Sequence, residues 1–193
     1  MSKKFIGIFI MIISLVMVAP LSAKGPQGGK QNQSTVTLTE AEIQTIKFMR
    51  QEEKLARDVY LILYDEYNTP IFLNISKSEQ RHMDAMKRLI DKFKLEDPVS
   101  DDTIGAFPLS VGNDIDFNSL YDDLVDRGMN SYCDALQVGI DIEELDIEDI
   151  ENALLMDDVN AQAVNKVLNN LLNGSYNHLR AFSSQYETNN CEQ

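Results

Sequence analysis

Between Thr37 and Tyr186 the apolar residues recur at spacings of three and four, with no sustained alternation of apolar and polar positions. That is the period of a helix and not of a strand, so the fold class expected is all-α. Thr39 with Glu42 makes a capping-box pattern and starts a helix that Asn68-Thr69-Pro70 stops at about Tyr67. Ser76 with Glu79 repeats that spacing and predicts a second helix over Ser76–Lys94. Residues 95–118 lack strong periodicity and hold Pro98, Gly105, Pro108 and Gly112. A loop of that size inside a compact domain needs a purpose, and a crossover along a helical bundle supplies one. A short helix over Asn118–Asp126 ends at Gly128. The third principal helix is expected over Asn130–Glu144, with Asp146 capping a short continuation, Ile147–Met156. The fourth runs over Asp158–Tyr186, and Gly174-Ser175 is its point of bending. Short connections make antiparallel neighbours and a long one returns the chain to the other end, so the pattern is two helical hairpins joined by one crossover.

The first residues are a different kind of segment. Lys3 and Lys4 precede an apolar run from Phe5 to Val18, and small residues follow at Ser22 and Ala23. This is the layout of a secretory signal peptide cut after Ala23. The apolar run is shorter than the roughly 20 residues that span a bilayer, so no stable membrane span is expected after cleavage. Residues 24–36, rich in Gly, Gln, Ser and Lys, read as a flexible lead-in. The helical domain is expected over residues 37–187, with 188–193 as a tail. Without the signal peptide, 15 basic face 31 acidic residues, a net charge of −16. Such a surface repels nucleic acid and anionic membranes and favours cations. An exported chain is also free to form a disulfide, and Cys133 with Cys191 would staple the C-terminal tail.

Each principal helix carries a metal-capable residue on its own apolar stripe. On the first the stripe is Ile46, Met49, Glu53, Ala56, Tyr60 and Leu63, with Glu52 on a neighbouring stripe as an alternate. The second gives Ile75, Glu79, His82, Met86 and Leu89, in which Glu79 and His82 stand one turn apart and point the same way. The third gives Leu136, Ile140, Glu143 and Ile147, with Glu144 as an alternate if the phase shifts near Asp146. The fourth gives Val164, Leu168, Leu171, Ser175, His178 and Phe182. The chain has two histidines, and both fall on core stripes. Ionised carboxylates cost several kcal/mol each to bury unpaired, and three converging Glu repel one another unless they hold protons or a cation. Glu with His is a ligand set suited to iron, manganese or zinc.

These residues also carry a resemblance. The segments Glu52-Glu53-Lys54-Leu55-Ala56-Arg57-Asp58-Val59-Tyr60, Ser78-Glu79-Gln80-Arg81-His82-Met83, Ile142-Glu143-Glu144-Leu145-Asp146-Ile147 and Asn177-His178-Leu179-Arg180-Ala181-Phe182 resemble the ferritin-like superfamily. More narrowly, they resemble the bacterial and archaeal family called domain of unknown function 2202. The resemblance implies an up-down four-helix bundle with a long crossover between helices two and three, and a metal site of Glu53, Glu79, His82, Glu143 and His178. It also implies that Tyr60, seven residues after Glu53, matches a tyrosine that ferritins and rubrerythrins keep beside a di-iron centre. Ser175 departs from the pattern, because a full di-iron site carries Glu there. Glu144 would compensate, or the site would hold one ion or an asymmetric pair.

Two functions follow as expectations. The first is a metalloprotein with a di-iron or di-manganese site acting on oxygen, peroxide or Fe(II), with Tyr60 supplying an electron or a hydrogen bond. The second is a secreted metal-binding or purely structural bundle without turnover. Arg57 and Arg81, one turn from proposed ligands, are candidate ion-pair partners for them. Asp146, Glu148, Asp149 and Glu151 read as a charged helix start and solvated face. Assembly into dimers or larger homo-oligomers is left open.

Overall fold

A computed structural model describes residues 37–107, 115–156 and 161–191. The expectations for the signal peptide, the lead-in and Asp158 fall outside these. Five helices and no strand are found among the described residues: α1 Glu40–Tyr67, α2 Pro70–Phe93, α3 Phe117–Gly128, α4 Tyr132–Leu155 and α5 Gln162–Thr188. None is long and apolar enough to cross a membrane.

The start of α1 is the expected one, with Thr39 and Glu42 closing a reciprocal capping box. The start of α2 is not. Asn68 turns into the left-handed region and Thr69 extends, and Pro70 then opens α2 as its first residue. Proline suits that position because its missing N–H would have no helical partner there. Ser76 is therefore interior, and its hydroxyl donates back to the Leu73 carbonyl at 3.0 Å instead of capping. The expected break at Asp146 is also absent. Ser131 caps α4 and the helix runs without interruption to Leu155, so Glu143 and Asp146 share one helical phase. The helix α5 likewise continues through Gly174 and Ser175.

Partners along the helices show how they run. Arg50 reaches the Met83 carbonyl, Arg57 reaches Gln80 and Tyr67 stacks near Phe72, so α1 and α2 are antiparallel. Helices α4 and α5 are antiparallel too, as Gly139 meets Phe182 and Tyr176 bonds Glu151. The two hairpins meet along α1 with α4 and along α2 with α5. A disulfide between Cys133 and Cys191 ties the end of α5 to the first turn of α4, with Cα atoms 5.3 Å apart.

Every residue of α1 from Phe48 to Tyr60 is buried, charged ones included. One set of these charges holds the crossover. Lys54 and Asp58, both fully buried, form an ion pair, and Arg57 bonds Asp58 at 2.7–2.8 Å. Lys54 donates to the Thr103 carbonyl at 2.8 Å, and the Gly105 N–H donates to Asp58 at 3.0 Å. Gly105 has φ +76°, and a Cβ there would sit 2.8 Å from the Tyr121 ring, so glycine is required on both grounds. Buried charges must be paired, and here the pairing is what fastens residues 102–105 to α1.

Candidate metal centre

A second set of buried polar residues converges where the hairpins meet. Glu53 comes from α1, Glu79 and His82 from α2, Glu143 from α4 and His178 from α5. His82 Nδ1 lies 3.1 Å from Glu53 Oε2 and 2.8 Å from Glu79 Oε2. His178 Nδ1 lies 2.7 Å from Glu79 Oε1 and 3.4 Å from Glu143 Oε2. The result is two triads, Glu53–Glu79–His82 and Glu79–Glu143–His178, each with ligand atoms within 4.8 Å of one another. They share Glu79, which turns one oxygen to each imidazole. The imidazole rings stack with centroids 5.6 Å apart.

Local sequence explains the placement. Glu79 and His82 are one turn apart on α2, so both side chains leave the same face. Gly174 on α5 leaves room for the His82 ring, since a Cβ there would lie 2.5 Å from its Cε1 and 2.6 Å from its Nε2. Below the triads is an aromatic layer in which Tyr60 and Phe182 rings sit 5.1 Å apart and Phe72 and Phe182 rings 5.7 Å apart. Gly139 admits Phe182, because a Cβ there would lie 2.7 Å from the ring. The Tyr60 hydroxyl rises from this layer and donates to Glu143 Oε1 at 2.7 Å.

Of the alternates, Glu144 is exposed and faces away from the triads. Glu52 is buried, but it pairs with Asp149 beside the site and belongs to neither triad. Arg57 turns to Asp58, Gln80 and Asp102, and Arg81 is exposed, so the described structure pairs neither with a proposed ligand. Asp146 departs most from the sequence reading. It is 6% exposed, not solvated, and accepts a hydrogen bond from the buried Ser175 hydroxyl. The signal that would have found it is Glu143-x-x-Asp146, the same one-turn spacing as Glu79-x-x-His82.

Without a cation the cluster can exist only by holding protons. Burial alone would lower the histidine pKa values, but Glu53 and Glu79 raise His82 to about 11, and Glu143 and Glu79 raise His178 to about 10. Burial acts to raise Glu79 as well, yet the two imidazoles outweigh it and hold that carboxylate at about 2. Burial and then Glu79 push Glu143 to about 8, and burial with Glu79 pushes Asp146 to about 7. Glu53 and Glu52 are raised well above the ordinary carboxylate value, chiefly by burial. Burial and then Glu143 raise the Tyr60 phenol, which therefore stays protonated and acts as a donor.

Several atoms remain without hydrogen-bond partners among the described residues: Glu53 Oε1, Glu79 Oε1, Asp146 Oδ1 and His178 Nδ1. Glu79 Oε1 and His178 Nδ1 stand 2.7 Å apart without hydrogen-bond alignment. Buried orphan acceptors of this kind call for an explanation such as an ion. Carboxylate oxygens with two imidazoles are donors that suit iron or manganese, so the residues present fit a divalent transition metal.

The comparisons with known proteins agree on kinship. Residues 42–193 match the family described as Uncharacterized protein domain (DUF2202). The chain is 46% identical over 145 residues to an uncharacterized protein of Methanocaldococcus jannaschii, covering 75% of each. A crystal structure of that same archaeal protein, described as a hypothetical protein from Methanococcus jannaschii, is similar with a TM-score of 0.75 at 41% identity, covering 83% of this chain and 87% of that one. With most of its length matched, the chain belongs to the DUF2202 family.

Proposed function

We propose that the protein is a ferritin-like carboxylate–histidine metalloprotein that binds two divalent transition-metal ions, iron foremost and manganese as the runner-up. The observation that carries this reading is the sharing of Glu79 by two triads, each with its own terminal Glu and its own His. One carboxylate turned between two imidazoles has no purpose in a plain apolar core, where a Glu and two His would each add desolvation cost. The chain order of the helices, with neighbours antiparallel and one crossover, supports the ferritin-like architecture.

In this reading Glu53, Glu79 and His82 hold one ion, and Glu79, Glu143 and His178 hold the other. Bound iron or manganese supplies reversible one-electron chemistry toward a small oxidant such as oxygen or peroxide, and Fe(II) is a candidate substrate. The chain does the rest. Burial of every proposed carboxylate excludes bulk water, which strengthens each charge interaction inside. The Tyr60 hydroxyl orients Glu143 and keeps one of its oxygens occupied. The protons now held by His82, His178, Glu53 and Glu143 leave when cations arrive, since metal ligands bind deprotonated. The Cys133–Cys191 disulfide supports an exported protein, because such bonds persist in oxidising compartments.

Anaerobic Fe(II) titration of the purified protein, followed by exposure to oxygen, tests the proposal. Two ions per chain and oxidant consumption are expected. Two ions without consumption would leave the non-catalytic metal-binding alternative, and no binding would overturn both.

A further inference from the structure

The ligand set just proposed is asymmetric. On α2 a carboxylate, Glu79, stands one turn before the histidine; on α5 the corresponding residue before His178 is Ser175, which has no charge to offer. Asp146 stands one turn beyond Glu143 on α4, and its Oδ2 accepts from the Ser175 hydroxyl, a group that is itself fully buried. Its Oδ1 has no partner among the described residues. Asp146 lies outside both triads, and what brings it to them is the helical faces it shares: one turn beyond Glu143 on α4, and bonded to Ser175, one turn before His178 on α5.

We propose that Asp146 is the fourth carboxylate of the metal centre, contributed by α4 in place of the one that α5 lacks, and that Ser175 is its positioning residue. This rests on the two-ion reading above. A merely structural role is a poor account of Asp146. A single hydroxyl hydrogen bond offsets only a small part of what a buried carboxylate with one oxygen unmatched costs. A cation shared with the neighbouring ligands offsets that cost. The shortness of Ser175 and the presence of an acid at 146 then form one unit: each explains the other.

The test uses Co(II), added anaerobically to the full-length protein and followed by calorimetry and visible absorption. In parallel, protein labelled with carbon-13 at the aspartate carboxyls is examined by infrared difference spectroscopy before and after loading. Among the proposed ligands Asp146 is the one aspartate, and the band that disappears in Asp146→Asn separates it from the chain's other aspartates. Wild type is expected to take two ions and to shift the labelled carboxylate band. Asp146→Asn should abolish that shift and weaken the weaker ion by at least the roughly 10–100-fold typical of losing a supporting group. Ser175→Ala should leave the ion count at two, weaken binding about 10-fold and displace the loaded band, which a purely packing role would not do. Glu144→Gln, an exposed control, should change nothing. The double variant Asp146→Ser/Ser175→Glu should recover the second ion without an aspartate band. If wild type takes two ions while the labelled band stays in place, Asp146 is not a ligand, yet the two-ion reading survives. If wild type takes none, that reading falls, and this one with it. Should Asp146→Asn fail to fold, Asp146→Glu decides: it keeps a carboxylate and two ions but should remove the shifted band from the labelled spectrum, and a band that stays would overturn the proposal.

Discussion

Raise the pH of the metal-free protein from 7 to 8 and it should lose stability steeply. In the folded chain His82 and His178 keep their protons until about pH 11 and 10, while an unfolded histidine gives its proton up near pH 6.5. A folded-state pKa raised in this way contributes stability that is complete below pH 6.5 and is lost as pH climbs toward the folded value. Glu143, held to about 8 by burial and Glu79, acts in the same direction: unfolded it is ionised above pH 4.5, folded it must still ionise against its surroundings. Glu79, held at about 2, does not titrate in this window. These three groups alone give the folded state between two and three protons more than the unfolded one, and Glu53 and Asp146, raised in the same direction, add to that. At about 1.4 kcal/mol per proton per pH unit, the three alone mean a loss of roughly 3 kcal/mol between pH 7 and 8. A total stability of about 5–15 kcal/mol makes this a large fraction. The melting temperature of chelator-treated protein, followed by circular dichroism, should fall by roughly 10 °C over that interval. Glu143→Gln, neutral at every pH, should reduce the slope by roughly half to nine-tenths of a proton, the share that a pKa of about 8 leaves on Glu143 across this window. With metal bound the histidines are neutral in the folded state, so stability should instead rise with pH up to about 6.5 and then level off. A melting temperature that is flat, or that climbs, for the metal-free protein between pH 7 and 8 would refute the idea that these groups share protons in a buried cluster.

Further expectations follow from other contacts. Replacing both cysteines by serine opens a link across a sequence separation of 58 residues and should cost about 4 kcal/mol by loop entropy, read as a denaturant midpoint against the oxidised wild type. Gly174→Ala puts a methyl 2.5 Å from the His82 ring, so the imidazole must leave its place. Loss of one of two bound ions with the helix content intact is the expected titration result, and retention of both would show that the ring has room to spare. Asp58→Asn leaves Lys54 and Arg57 buried without their shared anion and should cost about 3–5 kcal/mol in urea unfolding. Tyr60→Phe removes one buried hydrogen bond to Glu143, about 1 kcal/mol, while ion stoichiometry stays unchanged.

The first helix was legible to the residue, because Thr39 and Glu42 satisfy each other locally and nothing distant is needed to stop the chain at Asn68. The second helix was misplaced at its start because Pro70 was read as a stop, whereas at the first helical position the same residue is a start. Asp146 was misread for a related reason: an acid beside Glu148 and Asp149 looks like a cap, and only the uninterrupted phase of α4 turns it inward. The convergence of Glu53, Glu79, His82, Glu143 and His178 was foreshadowed because each interrupts an otherwise apolar stripe. What stripes cannot show is pairing across helices, so the sharing of Glu79, the Ser175–Asp146 bond and the need for Gly174 opposite His82 emerged only from tertiary geometry. The Lys54–Asp58 pair was hidden for the same reason, since charged residues four apart usually mark solvent.

The position of the proposed ligands relative to the two hairpins has a mechanical consequence. Each hairpin is knit closely within itself, one through a two-residue link and the other through the disulfide, and less extensively to its neighbour. Glu53, Glu79 and His82 belong to one hairpin; Glu143 and His178 belong to the other. An ion held by Glu79, Glu143 and His178 would therefore act as a rivet through the seam between two half-molecules, and stripping it would leave the mating faces joined only by the protons those groups take up. That seam is where slow breathing should begin, and where ions could reach the interior without a standing channel. Amide exchange should be fastest to respond to chelation on the facing turns of α4 and α1, around Gly139 and Tyr60, and of α2 and α5, around Glu79 and His178, and slowest where the crossover is clamped to α1.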